Sequence, residues 1–325
     1  MLKIDNVTAS YKMLDGDVVA VKNVDMEIKD NEIFGIAGES GCGKSTLLKV
    51  LYDIIEFPLQ IDSGKVILSG SRDGKEFSFD SGDIRKHWWS HISYVPQAAM
   101  SVLNPISRLK KQFLDSIPVT DRKRESQEAT LKRVTDYLVE LNLSPEVLNA
   151  YPFQLSGGMR QRCIIALATF MQPKPNVILA DEPTTALDVV VQRGILMLLM
   201  KLQKQYQNTM ILVSHDLGVH YQITDRLGIM YSGSMMEVGR TTEIFENPKH
   251  PYTQMLIGAL PRVGDKSTRE GIPGRPPSLK NPPDGCRFAE RCPKAIPECR
   301  TTVPQYREIM EGRYAACHLL NKEGV

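Results

Sequence analysis

Two glycine-rich stretches of this 325-residue chain each open an apparent helix. The first, GESGCGKST at 38–46, has the spacing G-x-x-x-x-G-K-[ST] from Gly38 to Ser45. Glycines let backbone N–H groups converge on an anion, and the N-terminus of a following helix adds its dipole. Gly38, Ser40, Gly41, Cys42, Gly43 and Thr46 would shape such a cradle. Lys44 would reach the outer phosphates of a nucleotide, and Ser45 would place its hydroxyl on Mg²⁺. The second stretch, LSGGMRQR at 155–162, sets Gly157 and Gly158 behind Ser156, a good N-cap. It reads as an anion site without its own lysine.

Acid–base chemistry is offered by NVILADEP, in which an apolar run delivers Asp181 and Glu182. The C-terminal end of a strand is where an α/β sheet builds sites. Asp181 suits the Mg²⁺ shell, and Glu182 suits orienting or deprotonating an attacking water. An exposed acidic loop would leave the upstream phosphate loop unexplained. Gln97 closes HISYVPQ, where it could touch the Mg²⁺ or the water; His215 closes TMILVSH, where it could contact a γ-phosphate. Tyr11 could stack on an adenine, worth about 1–3 kcal/mol by analogy with base–aromatic stacking. Singly, Gln97 and His215 are more often structural residues than site residues, and the plain alternative for Tyr11 is a strand-end tyrosine; their weight comes from company, all these groups closing strands of what should be one sheet edge.

The elements that must position these groups are visible as periodicities. The segment VDMEIKDNEIFGIAG (24–38) ends in a short apolar strand running into the phosphate loop, and TLLKVLYDII (46–55) has the spacing of a buried helix. Strand–loop–helix is the context a phosphate loop requires. MLKIDNVTASYK alternates like a strand. Further strands are expected at 63–70, 91–97, 176–181, 209–215 and 226–233, and the pattern MRQRCIIALATFM continues the second glycine pair as a helix. Between 121 and 148, Leu131, Val134, Leu138 and Leu141 recur at helical spacing, which predicts an inserted helical subdomain. Alternating strands and helices elsewhere imply an α/β fold with a mostly parallel sheet covered on both faces.

Composition narrows the class. Hydrophobic residues make up 42% and charged residues 24%, with a net charge of +2, so no single-sign field points to nucleic acid or to an anionic membrane. The longest uncharged apolar run, CIIALATFM at 163–171, is far short of the ~18 residues of a spanning helix. The N-terminus lacks the charged-then-apolar layout of a signal peptide. The expectation is a chain neither secreted nor membrane-spanning, held at a membrane, if at all, by another chain.

The motif set resembles the ATP-binding cassette family from residue 1 to about 250. LSGGMRQR resembles that family's signature sequence, and Gln97, ADEPTTALD with Asp188, and His215 fall in the family's order. The resemblance implies a P-loop, RecA-like core with an antiparallel β subdomain and a helical subdomain at about 100–160. It also implies that Ser156, Gly157 and Gly158 face the ATP of a second subunit, two cassettes sandwiching two nucleotides. LNP (103–105), NPKHPYTQMLIGALP (247–261) and PGRPPSLKNPPDGCRFAERCP (273–293) further resemble the ATP-binding subunits of dipeptide/oligopeptide permeases, and Met159 resembles the D-type subunit. Implied partners are an F-type cassette or a second copy, two integral membrane subunits and, indirectly, an extracellular solute-binding protein. The implied place is the cytoplasmic face of a membrane. Three departures stand out: Cys42 replaces a usual serine, Ala98 and Ala99 replace a common Asp-Pro, and 71–90 with Trp88 and Trp89 fits no family motif.

Against a soluble cassette acting on DNA or ribosomes, no long heptad insert lies between Lys44 and Ser156 and the chain carries one cassette. A metal-dependent nucleic-acid binder would need a basic patch that is missing.

Beyond about 250 the character changes. Nine of the 20 prolines lie between Pro261 and Pro304, and a short proline-rich segment buries little by itself. Four of six cysteines, Cys286, Cys292, Cys299 and Cys317, crowd this extension (251–325), where the sequence shows no core. Four clustered thiols favour a metal or redox site over cross-links, holding either Zn²⁺ or a [4Fe–4S] cluster. Spacing does not choose between them; the permease resemblance implies [4Fe–4S].

Overall fold

The computed structural model describes residues 1–72, 75–97, 102–117, 125–260 and 271–321; Ala98 and Ala99 lie outside the described residues. The chain divides into two compact units, Met1–Ile84 with Leu212–Val325, and Arg85–Ile211.

In the first unit, β1 (Leu2–Tyr11), β2 (Val18–Ile28), β4 (Leu59–Arg72) and β5 (Lys75–Asp80) form an antiparallel sheet in the order β2-β1-β4-β5. The strand expected at 63–70 is the middle of the much longer β4. β5 is an edge strand within the unassigned 71–90 stretch, with Phe77 and Phe79 stacked at 5.1 Å on one face.

The strand entering the phosphate loop is β3 (Ile33–Ala37), buried at every position, as a continuous apolar run requires. It pairs in parallel with β9 (Arg226–Tyr231). From there the ladder departs from the mostly parallel reading. β10 (Ser234–Arg240) returns antiparallel to β9, and β12 (Arg313–Ala316) and β11 (Tyr306–Met310) extend it antiparallel. The reversal is local: Ser232 and Gly233, with φ of 44° and 85°, make the two-residue turn that suits a twisted hairpin. Helix α1 (Lys44–Leu51) stops short of the expected 55 because Asp53 takes a left-handed φ of 60°.

The second unit holds β6 (Ile92–Val95) parallel to β7 (Val177–Asp181), with helices α2 (Leu109–Asp115), α3 (Gln127–Glu140), α4 (Gly157–Thr169) and α5 (Val189–Tyr206). Within the expected stripe, Val134, Leu138 and Leu141 are fully buried. Trp88 and Trp89 lie on the turn before β6, where the Trp89 N–H donates to Ile92 O at 2.8 Å and Arg85 stands over the Trp88 ring. The units divide within β8 (Thr209–Val213), which α6 (Leu217–Ile223) follows in the first unit.

The proline-rich tail does not lack a core, contrary to its sequence. Phe288, 1% exposed, packs with Tyr231 and Tyr252, all three ring centroids within 5.2 Å of one another. Cys286, Ala289 and Cys299 join Leu227, Ile229 and Ile257 in the same cluster. Tyr252 lies on α8 (Pro251–Gly258), which follows α7 (Thr241–Glu246). A buried ion pair locks the arrangement: Arg313 Nη2 donates to Glu237 Oε1 at 2.6 Å, both side chains nearly inaccessible. The N–H groups of Lys249 and His250 also donate to Glu237, each at 2.9 Å. Removing one partner of such a pair strands a buried charge, costing about 3–5 kcal/mol. Arg313→Met is therefore expected to lower the unfolding free energy by about that amount. A loss under about 1 kcal/mol in denaturant titration would show that the pair does not anchor the tail.

Candidate functional site

In the first unit the phosphate loop is shaped by contacts that leave no room for side chains. A Cβ on Gly38 would sit 2.1 Å from Met230 O, and one on Gly43 would sit 2.1 Å from Ala20 O, while Gly43 has a φ of 106° that L-residues avoid. Gly43 opens α1. Lys44 is buried, its Nζ donating to Gly38 O at 2.8 Å and Glu39 O at 3.0 Å, with Cys42 Sγ at 3.7 Å. The ammonium is thus centred on the loop by its own carbonyls. Burial raises the Cys42 thiol pKa, so cysteine stands in for serine as a neutral group. Ser40 and Gly41 are exposed, and Ser45 is half-buried. Tyr11 reaches the start of α1, its hydroxyl 3.1 Å from Thr46 Oγ1. His215 is exposed on the turn before α6, and Asp216 caps that helix through the Gly218 N–H.

In the second unit, β7 places Asp181 at its C-terminal end, 2% exposed. The Tyr94 hydroxyl, from parallel β6, donates to Asp181 Oδ2 at 3.1 Å. Tyr94 escaped the sequence reading, although it lies in the same YVPQ run as Gln97; only the β6–β7 register makes it a neighbour. Glu182 is held in a left-handed conformation (φ 45°), which costs a non-glycine residue about 1–3 kcal/mol. Its Oε2 accepts from Gln97 Nε2 at 3.0 Å and from Thr185 Oγ1 at 2.8 Å. The structure therefore brings Gln97 and Glu182 together, and their local bonds hold the strained residue.

The lysine-free glycine pair begins α4. Ser156 caps it, its hydroxyl accepting from Met159 N–H at 3.3 Å. Gly158 is small for a further reason: a Cβ there would meet Val191 Cγ1 at 2.6 Å. Val191 N–H in turn donates to Asp188, the N-cap of α5, at 2.9 Å. The starts of α4 and α5 are therefore packed tightly, with Ser156 and Asp188 both exposed.

The four late cysteines line one small cavity of about 10 Å³ together with His250 and His318. Burial raises the thiols of Cys292 and Cys317 and pushes Cys286 to about 11, their neighbouring thiols adding to the effect. Among the described residues, no three His, Cys, Asp or Glu side chains converge on a point suited to a single metal ion.

Residues 21–185 match the ABC transporter family, and the chain belongs to it. Residues 236–299 match a second family, the oligopeptide/dipeptide transporter C-terminal region. Dipeptide transport ATP-binding protein DppD of Caldanaerobacter subterraneus is 37% identical over 98% of this chain and 97% of its own. Oligopeptide transport ATP-binding protein AppF of Bacillus subtilis is 37% identical over 94% of this chain and 90% of its own. Among solved structures, the dimeric post-hydrolysis state of the ATP-binding cassette MJ0796 bound to ADP and Pi is 31% identical with a TM-score of 0.61, covering 74% of this chain and 99% of that one.

A buried histidine follows the His215 turn. His220 is fully buried on α6, its Nε2 3.1 Å from Ser214 O, and burial depresses its pKa from 6.5 to about 4. The unfolded chain protonates this group near 6.5 and the folded chain only near 4. The contribution of neutral His220 to stability is therefore fully present above pH 6.5 and is lost as the pH falls toward 4. Denaturant titrations across this window should show that fall, and His220→Gln should reduce its slope by about one proton. An unchanged slope in the variant would contradict the assignment.

Proposed function

We propose that this chain is the ATP-hydrolysing subunit of an importer of dipeptides, oligopeptides or related solutes such as nickel chelates. The observation that carries the reading is one chain holding a tightly packed phosphate loop, a carboxylate pair at the end of a buried strand, and a Ser-capped glycine pair without a lysine. The match of the tail to the oligopeptide/dipeptide transporter C-terminal region supports the substrate class. The nucleotide-binding domain is residues 1–250 and the extension 251–325. The subunit is read as D-type, which relatives named DppD support, working with an F-type or identical second cassette and two membrane subunits at the cytoplasmic face of a membrane. Among the described residues no helix is long and apolar enough to cross a membrane.

Lys44 and the loop N–H groups bind the outer phosphates, and Tyr11 stacks on the base. Ser45, Gln97 and Asp181 offer the oxygen donors that Mg²⁺ takes, and the ion neutralises phosphate charge when bound. Ser156, Gly157 and Gly158 cap the γ-phosphate held by the second cassette, with Asp188 beside them and His215 on the γ-phosphate of its own subunit. Tighter ATP binding by the closed pair drives closure. Glu182 then positions and deprotonates water, and hydrolysis reopens the pair. Glu182→Gln keeps the hydrogen bonds and removes the base. It should bind ATP normally, lose turnover by at least about 10²-fold, and accumulate closed dimers on size exclusion. Wild-type turnover in that variant would refute the base assignment.

For the thiol set, the reading is a [4Fe–4S] cluster that orders the tail. The four thiols border one cavity, and the permease resemblance favours a cluster over tetrahedral Zn²⁺. Protein isolated without oxygen should carry about four iron atoms per chain with visible absorbance. Cys292→Ser should lose both, along with resistance of the tail to proteolysis. Stoichiometric zinc in place of iron would overturn the reading.

A further inference from the structure

Glu39 sits between Gly38 and the rest of the phosphate loop, and its carboxylate is gripped from the C-terminal tail. Arg291 Nη1 donates to Oε2 at 2.8 Å and Nη2 to Oε1 at 2.9 Å, two parallel bonds across 252 positions of sequence. The guanidinium is itself fixed: Nη1 also donates to the Tyr231 hydroxyl at 3.1 Å, Nη2 to Ile272 O at 3.0 Å and Nε to Pro273 O at 2.8 Å. The Arg291 side chain is 6% exposed, that of Glu39 24%. From the other side, the Glu39 N–H donates to the Tyr252 hydroxyl at 3.1 Å. Pro276, Pro277 and Leu279 of the tail line one crevice with Glu39 and Cys42.

A carboxylate in an anion-binding loop is a charge of the wrong sign. Left unpaired, Glu39 would repel the nucleotide phosphates and compete for Lys44, whose Nζ already bonds the Glu39 carbonyl. Bidentate pairing with a well-anchored arginine neutralises that charge and fixes its direction. We propose that Arg291 is a positioning residue for ATP binding: by neutralising and orienting Glu39, the C-terminal tail sets the affinity of the phosphate loop for nucleotide. This rests on the reading that residues 38–46 bind the phosphates of ATP.

The test is equilibrium binding of ATP to the full-length chain, with thermal unfolding measured alongside. Arg291→Gln should weaken ATP binding about tenfold, or about 1.4 kcal/mol. Glu39→Gln alone should change it less than about threefold, and the double variant should recover to within about threefold of wild type, because the uncompensated charge is gone. A purely structural role for Arg291 would not be rescued by neutralising Glu39. Wild-type affinity in Arg291→Gln, or a double variant as weak as that single one, overturns the proposal. Should Arg291→Gln not fold, Arg291→Lys replaces it. Lysine keeps the charge and loses the fork, so about threefold weaker binding is expected, and wild-type affinity overturns the proposal. Lys44→Ala separates the two levels. If it retains wild-type ATP affinity, the loop assignment fails; if it abolishes binding while Arg291→Gln binds normally, only the role of Arg291 fails.

Discussion

A cradle for phosphates must be made of backbone N–H groups, and a loop that exposes its backbone has few side chains with which to hold itself. The loop at 38–46 therefore takes its shape from what surrounds it. Met230 O and Ala20 O approach so closely that only glycine fits at 38 and 43. β3 enters the loop as a fully buried strand fixed by its parallel register with β9, and α1 leaves it with one face in the core. The Ser232–Gly233 turn closes over it, the Gly233 N–H donating to Cys42 O at 2.8 Å. The cost of ordering a glycine-rich segment is met by rigid neighbours rather than by the loop itself.

The second unit solves a different problem, that of holding a reactive carboxylate ready without burying it unpaired. Asp181 is buried and given a phenolic donor. Glu182, one residue on, is turned out of the strand by a left-handed backbone and kept there by Gln97 and Thr185. Adjacent residues on one strand thus have different environments, a fixed acceptor and a poised one. That difference is what the proposed division of labour between an ion ligand and a base requires.

Much of this was legible in the sequence, and the boundary is instructive. Central strands such as IFGIA, VILAD and TMILV read directly because burial on both faces demands uninterrupted apolar residues. Ser156 read as a cap because capping is a local hydrogen bond. What stayed hidden depends on contacts distant in sequence. The tail looked coreless because prolines and charges interrupt its apolar runs, yet Phe288 completes an aromatic cluster founded by Tyr231 and Tyr252. The antiparallel run β10–β12–β11 is joined through Glu237 and Arg313, 76 positions apart, and no periodicity announces such a pair. Tyr94 is invisible for the same reason: parallel register, not spacing, sets it beside Asp181.

The same non-local logic gives the tail a mechanical position that its composition does not suggest. Arg291 is covalently next to Cys292, which borders the thiol-lined cavity, and Arg291 grips Glu39, which borders Lys44. The route from cavity to phosphate loop is therefore one peptide bond and one bidentate ion pair. Both ends are stiff. Tyr231 and two backbone carbonyls fix the guanidinium, while Cys286 N–H donates to Cys299 O at 2.8 Å and braces the cavity wall. The bidentate fork fixes both the distance and the direction between residue 291 and Glu39, with no flexible linker between them. A segment that resembles an appendage in sequence is, in three dimensions, part of the wall of the nucleotide loop.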